Sequence, residues 1–443
     1  MFQVSHSSRP LTTESTRLPR SVLDSIRFSQ YSLLSTLFVA GMVLSHATTL
    51  RLNLLPIGLG EMLILVWLIC VLILQARSRF SVRSGVVLLT ILFWISILTL
   101  LFVGYSSNII IGKPSGYAFH NSMAFVFIAT VCLSMSLHFR SGKYIEQTMI
   151  VIFAAILAIQ ASLYWFSTIN PSFFGIEFYN SSAHYRFEGL ADNPNQLSMY
   201  FCIIPFACLA VFNSSMKYAK PISLIALTLS IYIGVQTRSD ALLIAWGVGL
   251  ISFIVLSMVR HFHSPSPWRI LLAVSPIAAI IGFLFIFVNA EVLYADLLRA
   301  SEYMYYGEGN QGSVRVGLWS NAIHALMVSP VYGLGPGAFA GIHAPFDGME
   351  AHNTMLDWGV QTGIIGILLL LSVVALAAKR LWKKGRMDLL AGLISLSIFA
   401  QFHYVLRQPV VWALLLWFLI ADDVSKNTTN KVDLRSGSVE GGH

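Results

Sequence analysis

Four arginines have the side-chain chemistry to bind a phosphate group. They are Arg186 in Tyr-Arg-Phe-Glu-Gly, Arg238 in Thr-Arg-Ser-Asp, Arg315 at the start of a helical pattern, and Arg407. A guanidinium is planar, permanently charged and able to contact two phosphate oxygens at once. If these arginines meet above the mouth of a helical bundle, we expect them to form a pyrophosphate site.

His352, in Glu-Ala-His-Asn-Thr, is the residue best suited to act as a general base. Near neutral pH an imidazole can take a proton from a hydroxyl group. The nearby acids Asp347, Glu350 and Asp357 could orient it or raise its pKa. They could also bind a metal with it, but the spacing of the ligands is not that of a metal site, so none is predicted. A structural hydrogen-bonding role is the alternative. That structural role is predicted for His324, His343 and His403.

The composition places these residues on a membrane protein. Of 443 residues, 56% are hydrophobic and only 11% are charged, against about 25% charged in soluble domains. So little charge cannot cover a water-facing surface, and lipid must be the main solvent. The first apolar run, 31–47, has no cleavage site behind it and predicts a retained span. All four cysteines lie inside apolar runs, which favours buried thiols over disulfides.

Long apolar runs predict an all-α polytopic membrane protein of about twelve transmembrane helices, since a span needs roughly 20 apolar residues. A cytoplasmic tail, 1–27, precedes the membrane domain, 28–422, and a second cytoplasmic tail, 423–443, follows it. The predicted spans are 30–48, 54–75, 84–105, 119–138, 147–167, 196–212, 219–236, 240–258, 269–289, 358–378, 388–404 and 409–422.

The distribution of lysine and arginine predicts the orientation. With the N-terminus in the cytoplasm, 21 of the 28 basic residues fall in cytoplasmic segments and seven outside, as the positive-inside rule requires. An even number of spans then places both termini in the cytoplasm. The net charge of +8 is therefore explained mostly by the basic residues of the cytoplasmic segments, and it predicts no nucleic-acid binding.

Two predicted outer segments, 168–195 and 290–357, are too long to be simple turns, and long loops are often functional. The second contains a helical pattern around Trp319 that Pro330 ends, followed by a glycine-rich turn. This predicts an amphipathic helix, either at the membrane interface or packed on neighbouring loops.

Arginines in outer loops run against the positive-inside bias, which favours a specific role for them. The alternative is that each one pairs with a nearby acid. Arg186 would then pair with Glu188 or Asp192, and Arg238 with Asp240.

His352-Asn353 are followed by nine residues and then by Gly363-Ile-Ile-Gly366. This segment resembles the O-antigen ligase and polymerase superfamily of bacterial envelope enzymes, because its ligases share a pattern of His, then Asn, Ser or Gln, nine residues and Gly-x-x-Gly. Topology and loop placement agree over nearly the whole chain except its ends. Other matching segments are Arg186-Phe-Glu-Gly with Asn193-Pro-Asn195, and Arg315-Val-Gly-Leu-Trp319 with Gly333-Leu-Gly335.

The resemblance implies a GT-C-type glycosyltransferase of the bacterial inner membrane with a periplasmic active site. Its donor would be a glycan on undecaprenyl pyrophosphate, moved en bloc to a hydroxyl group of lipid A–core without metal or cofactor. His352 would take the acceptor's proton, with inversion at the sugar carbon. Arg186, Arg238 and Arg315 would bind the leaving pyrophosphate. Supporting roles are implied for Glu188, Asn193, Asn353 and Arg407.

Two other functions compete with the ligase. A polymerase would use a second lipid-linked glycan as acceptor, but the His-Asn…Gly-x-x-Gly pattern favours a ligase. A transporter of lipid-linked sugars would need a continuous polar path through the spans. The span interiors contain almost no charge apart from Glu61, which argues against a transporter.

Overall fold

The structure is a computed structural model, and it describes residues 20–50, 58–77, 85–110, 116–139, 141–173, 175–180, 186–214, 218–261, 311–338 and 349–421. Within these ranges the chain is mostly helical, as predicted. The helices are α1 (Arg20–Ser45), α2 (Leu59–Arg77), α3 (Gly85–Ile110), α4 (Ala118–His138), α5 (Gly142–Ser167), α6 (Pro194–Phe201), α7 (Ile204–Phe212), α8 (Ala219–Gln236), α9 (Asp240–His261), α10 (Gln311–Val328), α11 (Thr354–Lys384), α12 (Met387–Phe399) and α13 (Pro409–Ile420).

Eight helical segments within the described ranges are long and apolar enough to cross a membrane, so the chain is a membrane protein. They are α2, α3, α4, α5, α8, α9, α11 and the α6–α7 stretch, Pro194–Phe212. Three shorter apolar helices, Leu33–Ser45 within α1, α12 and α13, lie in three more of the predicted spans, but they are shorter than the eight segments that could cross a membrane. The remaining predicted span, 269–289, lies outside the described residues, as do most of the two predicted tails.

Some helix boundaries differ from the predicted spans. α1 begins at Arg20, inside the predicted tail 1–27, and α11 continues to Lys384 rather than ending at residue 378. In the last turn of α11, Lys383 is exposed, and the Lys384 ammonium group donates to the carbonyl oxygen of Ala421. Helices therefore reach beyond the apolar runs that defined the spans.

The short helix α13 lies inside the bundle. Its side chains from Pro409 to Leu419 are all buried, as expected for a helix that is apolar on every face. Trp412 packs on Trp94 with ring centroids 4.6 Å apart and on Phe93 at 5.7 Å. α13 thus joins α3 to the core of the bundle.

Helix α11 is broken at Gly363, which adopts φ 68° and ψ −171°. The backbone groups released by the break pair with the glycine-rich turn that follows α10. Ile364 N donates to Pro330 O at 2.8 Å, and Leu334 N donates to Val360 O at 2.7 Å. A Cβ atom at Gly363 would lie 2.2 Å from Val331 O, so a glycine is required. The first glycine of the ligase-like pattern therefore lies at a helix break that only a glycine can form.

Helix α10 ends at Val328, as the proline at 330 predicts. Its apolar face, with Leu318, Ala322 and Ala325, is buried in one cluster with Val360 of α11. One face of α10 therefore packs on α11, while Ile323 and Met327 on its other face are exposed.

The predicted outer loop 168–195 contains short strands that an all-α prediction does not include. β1 (Ser172–Phe173) pairs with β2 (Ile176–Glu177), and β3 (Tyr179–Asn180) pairs with β4 (Arg186–Phe187), both antiparallel. In the second pair Asn180 lies opposite Arg186. This hairpin determines where the first candidate arginine lies.

Candidate active site

Arg186 is held by two hydrogen bonds that fix its guanidinium. Its Nε donates to the carbonyl oxygen of Thr237 at 2.8 Å, and its Nη2 donates to Asn195 Oδ1 at 2.7 Å. Among the described residues it forms no ion pair, so the predicted alternative pairing with Glu188 or Asp192 is not observed. The remaining N–H groups of this half-buried guanidinium are available for a ligand.

The turn between α8 and α9 provides the carbonyl that orients Arg186. The Thr237 hydroxyl accepts from Ser198 Oγ at 2.9 Å and donates to Gly234 O at 2.7 Å, entirely within the protein interior. Arg238 follows directly, with its side chain exposed and its backbone in the left-handed region at φ 48°. Arg238 is therefore one residue away from the contact that positions Arg186.

Arg315 lies in the second turn of α10 and is half-buried. Its guanidinium has neither a hydrogen bond nor an ion pair with any described residue. Its charge nevertheless acts on three neighbours. Burial lowers the pKa of Arg186, the Asp240 charge opposes this effect, and the Arg315 charge adds to it. Burial and then the Arg315 charge lower the pKa of His352, and the same charge lowers the pKa of His403. Arg315 is therefore close to all three residues.

His352 adopts a left-handed backbone conformation, with φ 51°. For a residue other than glycine this costs about 1 kcal/mol or more, so neighbouring contacts must enforce it. The buried Asp357 carboxylate accepts from the backbone N–H groups on both sides, Ala351 N at 2.8 Å and Asn353 N at 3.3 Å. Asp357 therefore holds the backbone of His352, which specifies the orienting role predicted for the nearby acids.

Asn353 is the N-cap of α11. Its Oδ1 accepts from Met355 N at 3.0 Å and from Leu356 N at 3.1 Å, and its Nδ2 donates to Gln401 O at 3.0 Å. A cap of this kind contributes about 1 kcal/mol to helix stability. The asparagine of the ligase-like pattern thus fixes the start of α11 against the loop between α12 and α13.

Two more contacts hold the His352 segment to its surroundings. Trp319 Nε1 of α10 donates to Ala351 O at 2.9 Å, and Thr354 Oγ1 donates to His403 O at 2.6 Å. The helix carrying Arg315 and the loop carrying His403 are therefore both tied to the residues around His352.

His352 is neutral at neutral pH, because burial and the nearby Arg315 lower its pKa below the usual value of 6.5. The nearby acids therefore do not raise this pKa, which was one of the roles predicted for them. A neutral imidazole is the form that accepts a proton. Its ring centroid lies 6.4 Å from that of His403. The pKa of His403 is lowered to about 3, first by burial, then by the charges of Arg315, of His352 once it is protonated, and of Arg186.

Glu188 and Asn193 lie beside Arg186 but do not bind it. Glu188 is buried, and burial is the main cause that raises its pKa. Asn193 caps α6, accepting from Asn195 N at 2.8 Å. It therefore places Asn195, whose side chain accepts from Arg186.

Arg407 forms an ion pair with Glu350 and lies over the Tyr404 ring, 5.4 Å from its centroid. Glu350 is two residues before His352. The ion pair therefore connects the His352 segment with the loop between α12 and α13, and it neutralises much of the Arg407 charge.

The structure thus brings Arg186, Arg315 and His352 together, with Arg238 on an adjacent turn and Arg407 paired to an acid. From the sequence, Thr237 received no role, Asn195 was named only as the end of a matching segment, and only structural hydrogen bonding was predicted for His403. Thr237 contributes a backbone carbonyl, which has no side-chain signature. Asn195 and His403 carried a signal only through their neighbours Arg186 and Arg407.

Comparison with known families gives one match. Residues 224–371 match a family model described as O-antigen ligase. This region, about a third of the chain, contains Arg238, Arg315 and His352, whereas Arg186 and Arg407 lie outside it. No curated protein matches the chain. The predicted resemblance to the O-antigen ligase-like superfamily is confirmed over these residues, and it indicates a glycosyltransferase-like enzyme of O-antigen biosynthesis.

Proposed function

We propose that the chain is an inverting, metal-independent O-antigen ligase. It would move a glycan en bloc from undecaprenyl pyrophosphate to a hydroxyl group of lipid A–core at the periplasmic face of the bacterial inner membrane. The observation that carries this proposal is the grouping of two guanidinium groups, Arg186 and Arg315, neither in an ion pair with a described residue, around the neutral imidazole of His352.

In the proposed reaction the acceptor oxygen attacks the anomeric carbon of the donor glycan. The bond between that carbon and the diphosphate oxygen breaks, and undecaprenyl pyrophosphate leaves with the bonding electron pair. His352 takes the proton of the attacking hydroxyl group. Attack opposite the leaving group inverts the anomeric configuration.

The arginines stabilise the charge that develops on the leaving diphosphate. Preorganised donors are effective in this role because they need no reorganisation during the reaction. Arg186 is preorganised by Thr237 and Asn195, and Arg315 has no competing acid among the described residues. We assign Arg238, exposed on its turn, to the outer side of the diphosphate site.

The four supporting residues position these groups. Asn193 and Asn353 cap the helices next to Arg186 and His352, respectively, and Arg407 holds Glu350 close to His352. Glu188 is buried and follows Arg186 by two residues. We assign it to the wall of the donor site.

Deleting the gene in its native bacterium and separating the lipopolysaccharide by size tests this proposal. If the gene encodes a ligase, the deletion strain should contain lipid A–core without any attached glycan. Core bearing a single repeat unit would instead indicate the polymerase alternative, and unchanged lipopolysaccharide would refute both. Complementation with His352→Ala should fail to restore attachment of the glycan to lipid A–core. His324→Ala, at an exposed position of α10, should restore it.

A further inference from the structure

We propose that His403 contacts the substrate, donating a hydrogen bond from Nε2 to the diphosphate of the lipid-linked donor. This inference rests on the proposed function and adds a residue to its binding site. His403 Nε2 is buried and has no hydrogen-bond partner among the described residues. Buried polar groups are almost always hydrogen-bonded, so a buried nitrogen beside the candidate site points to a ligand as the missing partner.

The His403 ring is held firmly in place. It packs on Phe399 with ring centroids 4.8 Å apart. Its carbonyl oxygen accepts from Thr354 Oγ1 at 2.6 Å, and the same hydroxyl accepts from Val405 N at 3.1 Å. A residue whose ring packs on a neighbouring ring and whose backbone carbonyl is hydrogen-bonded loses little entropy when a ligand binds, which favours a binding role.

The surroundings of His403 identify the ligand as an anion. Arg315 and Arg186 lie close enough for their charges to act on its ring, and the His352 ring lies 6.4 Å away. Burial and these charges keep the imidazole neutral, with one N–H to donate. A diphosphate held by two guanidinium groups presents oxygens that only accept hydrogen bonds, and a third N–H donor complements it.

The test measures binding of farnesyl diphosphate, a short polyprenyl diphosphate, to the full-length protein in lipid nanodiscs. His403→Phe keeps a planar ring for packing on Phe399 but removes both nitrogens. We expect its affinity to fall about ten-fold or more, as for a lost hydrogen bond to a charged group. His403→Gln, whose amide can donate at a similar distance, should recover most of the affinity. His324→Phe, the matched exposed histidine, should bind like the wild type.

Arg186→Ala and Arg315→Ala separate the two proposals. If both weaken binding but His403→Phe stays within about two-fold of the wild type, His403 does not bind the diphosphate and the proposed function stands. If none of the three affects binding, the diphosphate site and the proposed function both fail. If His403→Phe binds normally but turns over slowly, His403 serves the acceptor instead, which overturns the assignment. Thermal unfolding of each variant confirms that it is folded.

Discussion

At the residue scale, Arg315 affects both the substrate and the base. Its positive charge favours an anionic ligand, and the same charge adds to burial in lowering the pKa of His352. A bound diphosphate would offset that charge and make His352 a stronger base when the substrate is present. One guanidinium would thus link donor binding to the strength of the base.

The pH dependence of turnover follows from the lowered pKa of His352. General-base catalysis needs the neutral imidazole, so the rate rises with pH through this pKa and is constant above it. Because burial and Arg315 lower this pKa, we expect kcat/KM to be constant around neutral pH and to fall only at a pH below that at which an unperturbed histidine titrates. Initial rates of glycan transfer in nanodiscs measure this profile.

Arg315→Gln tests the cause of that shift. Removing the charge should raise the pKa of His352. The pH at which kcat/KM falls to half of its maximum should therefore increase, whatever the loss in absolute rate. Arg260→Gln, which removes a cation bonded to Trp382 O, should leave the midpoint unchanged. A midpoint that does not move in Arg315→Gln would show that Arg315 does not set the basicity of His352.

At the element scale, the start of α11 holds the catalytic histidine through backbone contacts. Asp357, in the first turn of α11, accepts from the N–H groups on both sides of His352. In Asp357→Asn one of these acceptors becomes an N–H₂ group, which cannot accept. We expect kcat to fall about ten-fold with little change in donor KM, since small misplacements of a reacting group are costly.

A double mutant distinguishes positioning from general destabilisation. If Asp357 acts through His352, Asp357→Asn should not reduce kcat further when His352 has already been replaced by alanine. Asp388→Asn, at a buried carboxylate paired with Arg386, serves as the control, because it should reduce stability without reducing kcat per folded molecule. Equal proportional losses in both backgrounds would exclude the positioning role.

The break in α11 is a second feature at this scale. The Cβ atom of an alanine at Gly363 would lie 2.2 Å from Val331 O, and the backbone there has φ 68°, which is strained for an alanine. Gly363→Ala should therefore destabilise the protein by roughly 1–3 kcal/mol. Gly247→Ala on α9 is the matched control, since a Cβ there meets nothing within 4 Å. Thermal unfolding in detergent measures both variants. Equal stability of the two would show that α11 tolerates a regular helix at Gly363.

At the scale of the whole molecule, the sequence predicts what depends on composition and misses what depends on tertiary contact. Apolar length predicted the helices, and residue type with position selected Arg186, Arg315 and His352. The carbonyl of Thr237 and the approach of His403 to His352 arise only when distant segments fold together. The strands of loop 168–195 are two residues long, too short for a periodic pattern.

The orientation of the whole molecule is predicted from the distribution of basic residues, and it decides which side of the membrane the site faces. His324 and Tyr218 are both exposed, the first on the predicted periplasmic side and the second on the cytoplasmic side. In a cysteine-free background, His324→Cys should react with a membrane-impermeant maleimide in spheroplasts. Tyr218→Cys should react only after permeabilisation, because lysines at 217 and 220 favour the cytoplasm. The reverse labelling pattern would place the site in the cytoplasm, where a periplasmic ligase could not act.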